Sequence, residues 1–532
     1  MEESPLIDDP KPVNQTVPSG LKKMNPAFHL LVPATKSNPN LCKLLLSSFV
    51  LSYPTPTLIN YGKDFNSSGK DNGFGSHTGK IQGVYDFLND KAHVKDDDLV
   101  LIVDGYDVWM QLPPDVLIKR YHKLLSEADE RLRRRYGMET RASVAEGGAM
   151  ERVPKYTQKV VFAADKICWP NPENDPACAA VPYSTLPKDA YGPETDQDKE
   201  HFLHRPRYLN SGTVIGPAAD LRAIYESALA RTETQGWIGD QYIFSSLFGE
   251  QEFLRETLRQ SNQGAGGRWL DWISSTLGAP DSPLAANRTI NNVTIVAGQN
   301  YEYGIALDYE SELFQTVTRS MPDLSFVAFD NSSILSEIQN THPNLRPIPF
   351  NLPIDLQTAK EPYSYSSADG AREEITDNIM LPFSPKLDSI LEEPPWDAVP
   401  LATNIVSAAV PALLHFNGDG KPLRDDWWSR MWYALDSRAL LRRYMRSSQG
   451  ARAAAAASAG GQSWWDMRGG RGGVWTDNKL WMSWGEVCKA TEDIVFADGQ
   501  GTWGSEEGPR QEVNMFGKTM IAGEDVKYNH NQ

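Results

Sequence analysis

Asp97-Asp98-Leu99-Val100-Leu101-Ile102-Val103-Asp104-Gly105-Tyr106-Asp107-Val108-Trp109 is the stretch from which the fold can be worked out. An unbroken apolar run, Leu99 to Val103, follows two acidic residues. A short run of Val, Ile and Leu predicts a strand covered on both faces, as in sheets flanked by helices. The run stops at Asp104, and Asp107 follows in the next turn of chain. In open α/β sheets, ligands bind beyond the carboxyl ends of the strands. Two carboxylates placed there, with Gly105 to turn the backbone, can share one hard divalent cation. Mg²⁺ and Mn²⁺ favour carboxylate oxygen and complete their shells with water and substrate phosphates. The same residues also have a plainer use. An Asp at a strand end forms turns or caps helices, and Pro113-Pro114-Asp115 starts a helix-like segment shortly after.

Outward from this strand the pattern repeats. Towards the N-terminus, Phe28 to Pro33 predicts a first strand, Leu41 to Tyr53 an amphipathic helix and Thr57 to Tyr61 a second strand. A glycine-containing loop from Gly73 to His77 precedes a helix from Thr78 to Leu88 that carries Lys80. A lysine there either meets a phosphate or is a solvated surface charge. After the acidic strand comes a helix from about Pro114 to Ala128. Strand and helix therefore alternate, which predicts a parallel or mixed α/β sheet.

Farther along, Val160 to Ala164 is strand-like and leads into Asp165 and Cys168-Trp169-Pro170, where the tryptophan walls a pocket or caps the core. In Arg207-Tyr208-Leu209-Asn210-Ser211-Gly212-Thr213-Val214-Ile215-Gly216, small polar residues interrupt a strand. Glycine in a strand marks a bulge or a close backbone approach, and Asn210 and Ser211 can hydrogen-bond a hydroxyl-rich molecule. A helix from about Ala219 to Thr232 follows, then Asp240-Gln241 opens another, with Asp240 at the N-cap position. Ile305 to Asp308 and Ser325 to Phe329 are further strands. His415 follows the apolar run from Ala412 and precedes the Gly418 turn. It is a structural histidine or, beside two carboxylates, a third ligand.

Composition narrows the function. The chain has 532 residues and a formal net charge of -17, which argues against a nucleic-acid partner but leaves room for a local basic pocket. No apolar run is long enough to span a membrane. Met1-Glu2-Glu3-Ser4-Pro5 lacks the features of a signal peptide, so the chain reads as cytosolic or as lacking a targeting segment. There are 4 cysteines and no CxxC pair, which argues against a zinc site. Cys168 and Cys178 either pair in an oxidising compartment or remain buried thiols. Asn14, Asn66, Asn287, Asn292 and Asn331 begin sequons. Residues 1–25 read as a flexible arm and 26–446 as one domain, with insertions at about 129–155, which starts as an extension of the preceding helix, 255–290 and 343–400. Residues 447–474 read as a low-complexity linker and 475–532 as a tail whose tryptophans form no pattern with chemical meaning.

Taken in order, Val103-Asp104-Gly105-Tyr106-Asp107-Val108, Cys168-Trp169-Pro170, Arg207-Tyr208-Leu209-Asn210-Ser211-Gly212, Asp240-Gln241, Leu307-Asp308 with Phe314-Gln315, and His415-Phe416-Asn417-Gly418 form a more specific set than any one of them. Over roughly residues 27–430 the set resembles the glycosyltransferase domain of the procollagen lysyl hydroxylases, and is similar to the procollagen galactosyltransferases. Nothing resembles the hydroxylase domain. The resemblance implies a GT-A-like fold, a Rossmann-type mixed sheet flanked by helices with long insertions. It implies a UDP-sugar donor held with Mn²⁺, or with Mg²⁺ in its place. Asp104, Asp107 and His415 would be the metal ligands. Tyr106 would stack on the uracil, and Asn417 and Gly418 would lie near the diphosphate. Trp169, Asn210 and Ser211 would line the donor sugar, Lys80 matches loosely on the same side, and Asp240 would be the catalytic carboxylate. The family has an acidic run before its Asp-Gln pair, where this chain has Gly239. The expected reaction moves a hexose, glucose or galactose, to a hydroxyl acceptor on a protein or glycan. The ER/Golgi lumen or the cell exterior is the expected location. The rivals are a nucleotide-sugar-binding module with weak catalysis and a nucleotide-sugar hydrolase.

Overall fold

The computed structural model describes residues 27–65, 75–142, 150–235, 239–262, 298–342, 349–364, 384–446 and 472–496, with short pieces elsewhere. The proposed arm at 1–25, the sequons at Asn14, Asn66, Asn287 and Asn292, and most of the expected insertions at 255–290 and 343–400 and of the linker at 447–474 lie outside the described residues or are covered only in part.

Strand β1 (Phe28–Pro33) leads into α1 (Pro39–Val50) and β2 (Thr57–Ile59). Asn38 starts α1 by accepting the Leu41 N–H, and Pro39 occupies the first turn, where its missing N–H is no loss. Helix α2 (Gly75–Asn89) then leads to β3 (Leu99–Val103). Strands β2 and β3 both run parallel to β1, one on each side. In β3 the side chains alternate between two cores: Leu101 and Val103 pack on the α1 side, Val100 and Ile102 on the α2 side. That alternation explains the unbroken apolar run, because neither face is left to water.

After β4 (Val108–Met110), α3 runs over Pro114–Tyr136, two turns beyond its expected end. Its apolar stripe continues through Leu124, Ala128 and Leu132, and Gly137, at φ 81°, ends it. Residues 129–155, expected as a helix extension and surface insertion, are the end of this helix followed by a hairpin, β5 (Met138–Ala142) with β6 (Met150–Pro154). Strand β7 (Val160–Asp165), a short helix α4 (Pro176–Ala179) and β8 (Tyr208–Pro217) come next. Helices α5 (Ala218–Gln235) and α6 (Asp240–Asn262) cover the α2 side, and β9 (Ile305–Asp308) joins β7 in parallel. Strand β8 is antiparallel to both β3 and β7, so the sheet is mixed.

A second sheet is built from β4, which follows the carboxyl end of β3, and two later strands. Strand β10 (Phe314–Thr316) precedes β11 (Leu324–Val327) and β12 (Leu401–Asn404), which pair with each other. Strand β13 (Leu413–His415) then pairs with β10 and with β4, placing His415 opposite Val108. Inside the expected linker, β14 (Ala457–Ala459) pairs with β15 (Gln462–Trp464) and lies against α3, and Arg510–Val513 pairs with Thr519–Ala522 near the end of the chain. The expected separation of the C-terminal tail does not hold. Strands β16 (Gly473–Thr476) and β17 (Trp481–Ser483) extend the main sheet, giving the order β17-β16-β2-β1-β3-β8-β7-β9. Trp484, Val487, Val495 and Phe496 enter the same core as α1, and Cys488 is joined to Cys42. Of its described tryptophans, Trp484 enters that core, while Trp475 and Trp481 are half-buried and pack edge-to-face on each other across the β16–β17 pair. Cys168 and Cys178 also form a disulfide.

Candidate metal and donor site

A cleft of about 680 Å³ opens at the carboxyl ends of β1, β2 and β3, a volume in the range of small-molecule sites. Two local features build its floor. Strand β8 carries a bulge: Phe162 pairs with Val214, but Ala163 pairs with Asn210, so Ser211, Gly212 and Thr213 have no partner on β7. A bulge bends the strand and re-aims side chains, here Asn210 and Ser211 towards the cleft. The second feature is the turn from β3 into β4, which presents Asp104 and Asp107.

The Asp104 N–H donates to the Gly212 carbonyl at 2.8 Å, tying the acidic turn to the bulge. Asp104, Asp107 and His415 offer three ligand atoms within 4.8 Å of one another. His415 Nε2 lies 3.8 Å from Asp104 Oδ2 and 3.6 Å from Asp107 Oδ1. Those gaps are too wide for hydrogen bonds. An octahedral cation with bonds of about 2.1 Å sets its ligands about 3 Å apart at right angles and about 4.2 Å apart when opposed, so the observed spacing suits ligands around one ion. The outer oxygens face the chain's own cations: Asp104 Oδ1 accepts from Lys80 Nζ at 2.5 Å, and Asp107 Oδ2 lies 3.3 Å from Lys421 Nζ. The inner oxygens are thereby left to His415 and the space between them. His415 Nδ1 is buried with no hydrogen-bond partner among the described residues, so packing, not a hydrogen bond from the far side of the ring, sets its orientation.

The two carboxyls have opposed electrostatics. Burial resists ionisation of Asp107, but His415 and then Lys421 outweigh it and hold the group at about 2. Burial pushes Asp104 above its ordinary value, Lys80 pulls it down and the charge of Asp107 raises it again. Two carboxylates held this close repel each other, and a shared divalent cation removes that repulsion.

Beside them lies a second cluster. Asp240, the first residue of α6, accepts from Lys80 Nζ at 2.7 Å, from Ser211 Oγ at 3.2 Å and pairs with His77 Nδ1 at 2.8 Å. Burial opposes its charge, yet Lys80 and His77 hold it well below the ordinary carboxylate range. Lys80 is buried and shared between Asp104 and Asp240, so it is neither a solvated surface charge nor a group held ready for a phosphate alone.

The remaining expected residues all line the cleft, in different roles. The Tyr106 hydroxyl accepts the Thr35 and Lys36 N–H groups at 2.9 and 3.1 Å, which fixes its ring at the rim. Trp169 is 67% exposed and walls the rim instead of capping the core. Asn210 and Asn417 both donate to Asp165 Oδ2, at 3.3 and 2.7 Å, and Asn417 Oδ1 accepts from the Val317 and Thr318 N–H groups. These two amides are engaged in holding the floor together. Gly418 has φ 48°, a conformation that suits glycine, and a Cβ there would crowd Thr318.

The sequence reading passed over His77, Asp165, Arg319, Lys421 and Arg424, all of which line the cleft. Lys421 had a signal, since it follows His415-Phe416-Asn417-Gly418 by one short turn. His77 had none, because its partner Asp240 is 163 residues away. Comparison of the chain with protein-family models and with curated proteins returns no match.

Proposed function

We propose that this chain is a metal-dependent glycosyltransferase that moves a hexose from a UDP-sugar to a hydroxyl acceptor, on a GT-A-like version of the mixed α/β fold. The observation that carries the reading is the convergence of Asp104, Asp107 and His415 at the floor of a cleft at the carboxyl ends of parallel strands. A divalent cation held by these three residues would neutralise the charge that develops on the diphosphate leaving group. Lys421 and Arg319 add fixed positive charge on the same wall. Tyr106, pinned through its hydroxyl, offers a ring face to the uracil. Asn210, Ser211 and Trp169 stand where the hexose would lie.

In the reaction the bond from the anomeric carbon to the diphosphate oxygen breaks, the acceptor oxygen bonds to that carbon, and the acceptor proton passes to the departing diphosphate or to water. Asp240 suits this last step poorly as a base, because a carboxylate so strongly held in its ionised form binds protons weakly. Its role in this reading is to hold Lys80 and His77 against the reacting groups. That same feature supports the second reading, a nucleotide-sugar-binding module with weak transfer. The two disulfides suit a lumenal or secreted location, and no helix among the described residues is long and apolar enough to cross a membrane.

Calorimetric titration of UDP with Mn²⁺, and again with EDTA, tests the donor site. The expected result is binding in Mn²⁺ alone; absence of binding in both sinks the reading. Turnover of UDP-glucose and UDP-galactose over an acceptor panel then separates the readings. Acceptor-dependent transfer supports the enzyme, UDP binding without turnover supports the binding module, and free hexose independent of acceptor marks a hydrolase.

A further inference from the structure

We propose that Asp477, in the C-terminal segment, is a positioning residue for the cleft: acting through Asn60, it sets where α2 holds His77 and Lys80. The inference rests on the donor-site reading only for its catalytic consequence. Strand β16 lies parallel to β2, and its continuation brings Asp477 to the end of β2, where the Asp477 N–H donates to the Leu58 carbonyl at 2.9 Å. Asn60 sits there at φ 66°, a left-handed conformation that asparagine tolerates better than most residues. Its N–H has left the ladder and still needs an acceptor. Asp477 Oδ2 supplies it at 3.0 Å, and takes Lys63 Nζ at 3.1 Å.

Lys63 also donates to Asn60 Oδ1 at 2.8 Å, which fixes the amide so that Nδ2 donates to the Gly79 carbonyl at 2.7 Å. Gly79 lies in α2, between His77 and Lys80. One helical turn on, a Cβ at Gly83 would strike the Asn60 amide, so the helix rests directly on this side chain. The turn that carries Asp477 also reaches the far end of α2, where Lys479 Nζ lies 3.0 Å from Asp90 Oδ2. One turn between β16 and β17 therefore grips both ends of the helix that faces the cleft. The segment has independent anchors in the Cys42–Cys488 bond and the buried Val474, Trp484 and Val487, so losing one carboxylate leaves it docked.

The test uses the full chain with Asp477→Ala and Asp477→Asn, the second keeping an acceptor oxygen for the Asn60 N–H. Amide hydrogen exchange is read over residues 75–89 without ligand. Asp477→Ala should speed exchange in the first turns of α2 about tenfold, the scale of one lost hydrogen bond to a charged group. Asp477→Asn should recover most of the protection, and β8 should not change in either variant. Unchanged α2 exchange in Asp477→Ala overturns the proposal, as does equal acceleration in α2 and β8, which marks general destabilisation. In a parent that turns over UDP-sugar, Asp477→Ala should lower kcat several-fold with donor KM altered less, and an unchanged kcat overturns the catalytic part. A parent with no turnover refutes the glycosyltransferase reading, and the exchange result still decides whether Asp477 positions α2.

Discussion

Gly212 and His415 are in direct apposition: the backbone of the β8 bulge runs against the imidazole, and a Cβ on Gly212 would clash with Cε1 and Nε2 of the ring. The Gly212 carbonyl also accepts the Asp104 N–H. One residue without a side chain thus fixes two of the three prospective metal ligands relative to each other.

Gly212→Ala should therefore displace His415 without dissolving the fold. Inserting a methyl group into a packed site costs about 1–3 kcal/mol, and the ring can escape only away from the strand. UDP affinity in Mn²⁺ is expected to fall at least about tenfold, with a melting temperature lower by a few degrees. Calorimetry and a thermal melt check both. Unaltered affinity would mean that the ring's position against β8 is immaterial to binding.

Asp107→Ala removes one of the three proposed ligands and also releases Lys421 from its partner. Losing even a residue that only supports a ligand costs ten- to hundredfold in metal affinity, roughly, so a lost ligand should abolish measurable UDP binding in Mn²⁺. His415→Ala should behave alike. In EDTA the parent and both variants should be indistinguishable. A variant that binds UDP as the parent does in Mn²⁺ would remove Asp107 from the site.

What could be read in advance was local. The run Leu99 to Val103 gave β3, because burial on both faces leaves a contiguous apolar signature. Asp104, Asp107 and His415 stood out beside strand ends and do converge on one cleft, and the interruption at Asn210-Ser211-Gly212 coincides with the bulge. What escaped was everything set by distant pairing. Cys42 meets Cys488 across 446 residues, β16 docks on β2 across more than four hundred, and His77 meets Asp240 from another helix. No periodicity records such contacts, since each partner satisfies its own local pattern. Asn417 was legible as a cleft residue, but its use as a brace between Asp165 and the Val317 backbone depends on three loops coming together.

His77 and Asp240 make a pH-dependent pair. The hydrogen bond to Asp240 raises the His77 imidazole above its ordinary value, with burial acting against it. A histidine whose folded value is raised contributes stability that is complete below the unfolded value, near 6.5, and lost as pH climbs through the raised value. Half of the side chain is exposed, so the stability change should be small. Histidine NMR should show a midpoint above about 6.5. Asp240→Asn should lower that midpoint, spare UDP binding within about threefold, and slow transfer by up to about a hundredfold, the cost of misplacing Lys80 and His77. If the variant weakens UDP binding as much as Asp107→Ala does, Asp240 belongs with the donor ligands.

The two disulfides should report on different properties. Cys42–Cys488 closes nearly the whole described chain, and loop-closure entropy puts such a constraint at roughly 6 kcal/mol. Cys168–Cys178 spans a separation of 10 residues, for which the same scaling gives roughly 3 kcal/mol. The short loop carries Trp169 at the rim of the cleft, while the long one holds the C-terminal segment against α1. Replacing Cys42 and Cys488 with serine should lower the melting temperature by several degrees more than replacing Cys168 and Cys178. The second pair of substitutions should instead weaken UDP-sugar binding more than UDP binding, because Trp169 lies on the sugar side in the proposed reading. Parallel melts and titrations of the two double variants decide this, and equal losses of UDP and UDP-sugar affinity would remove Trp169 from the sugar wall.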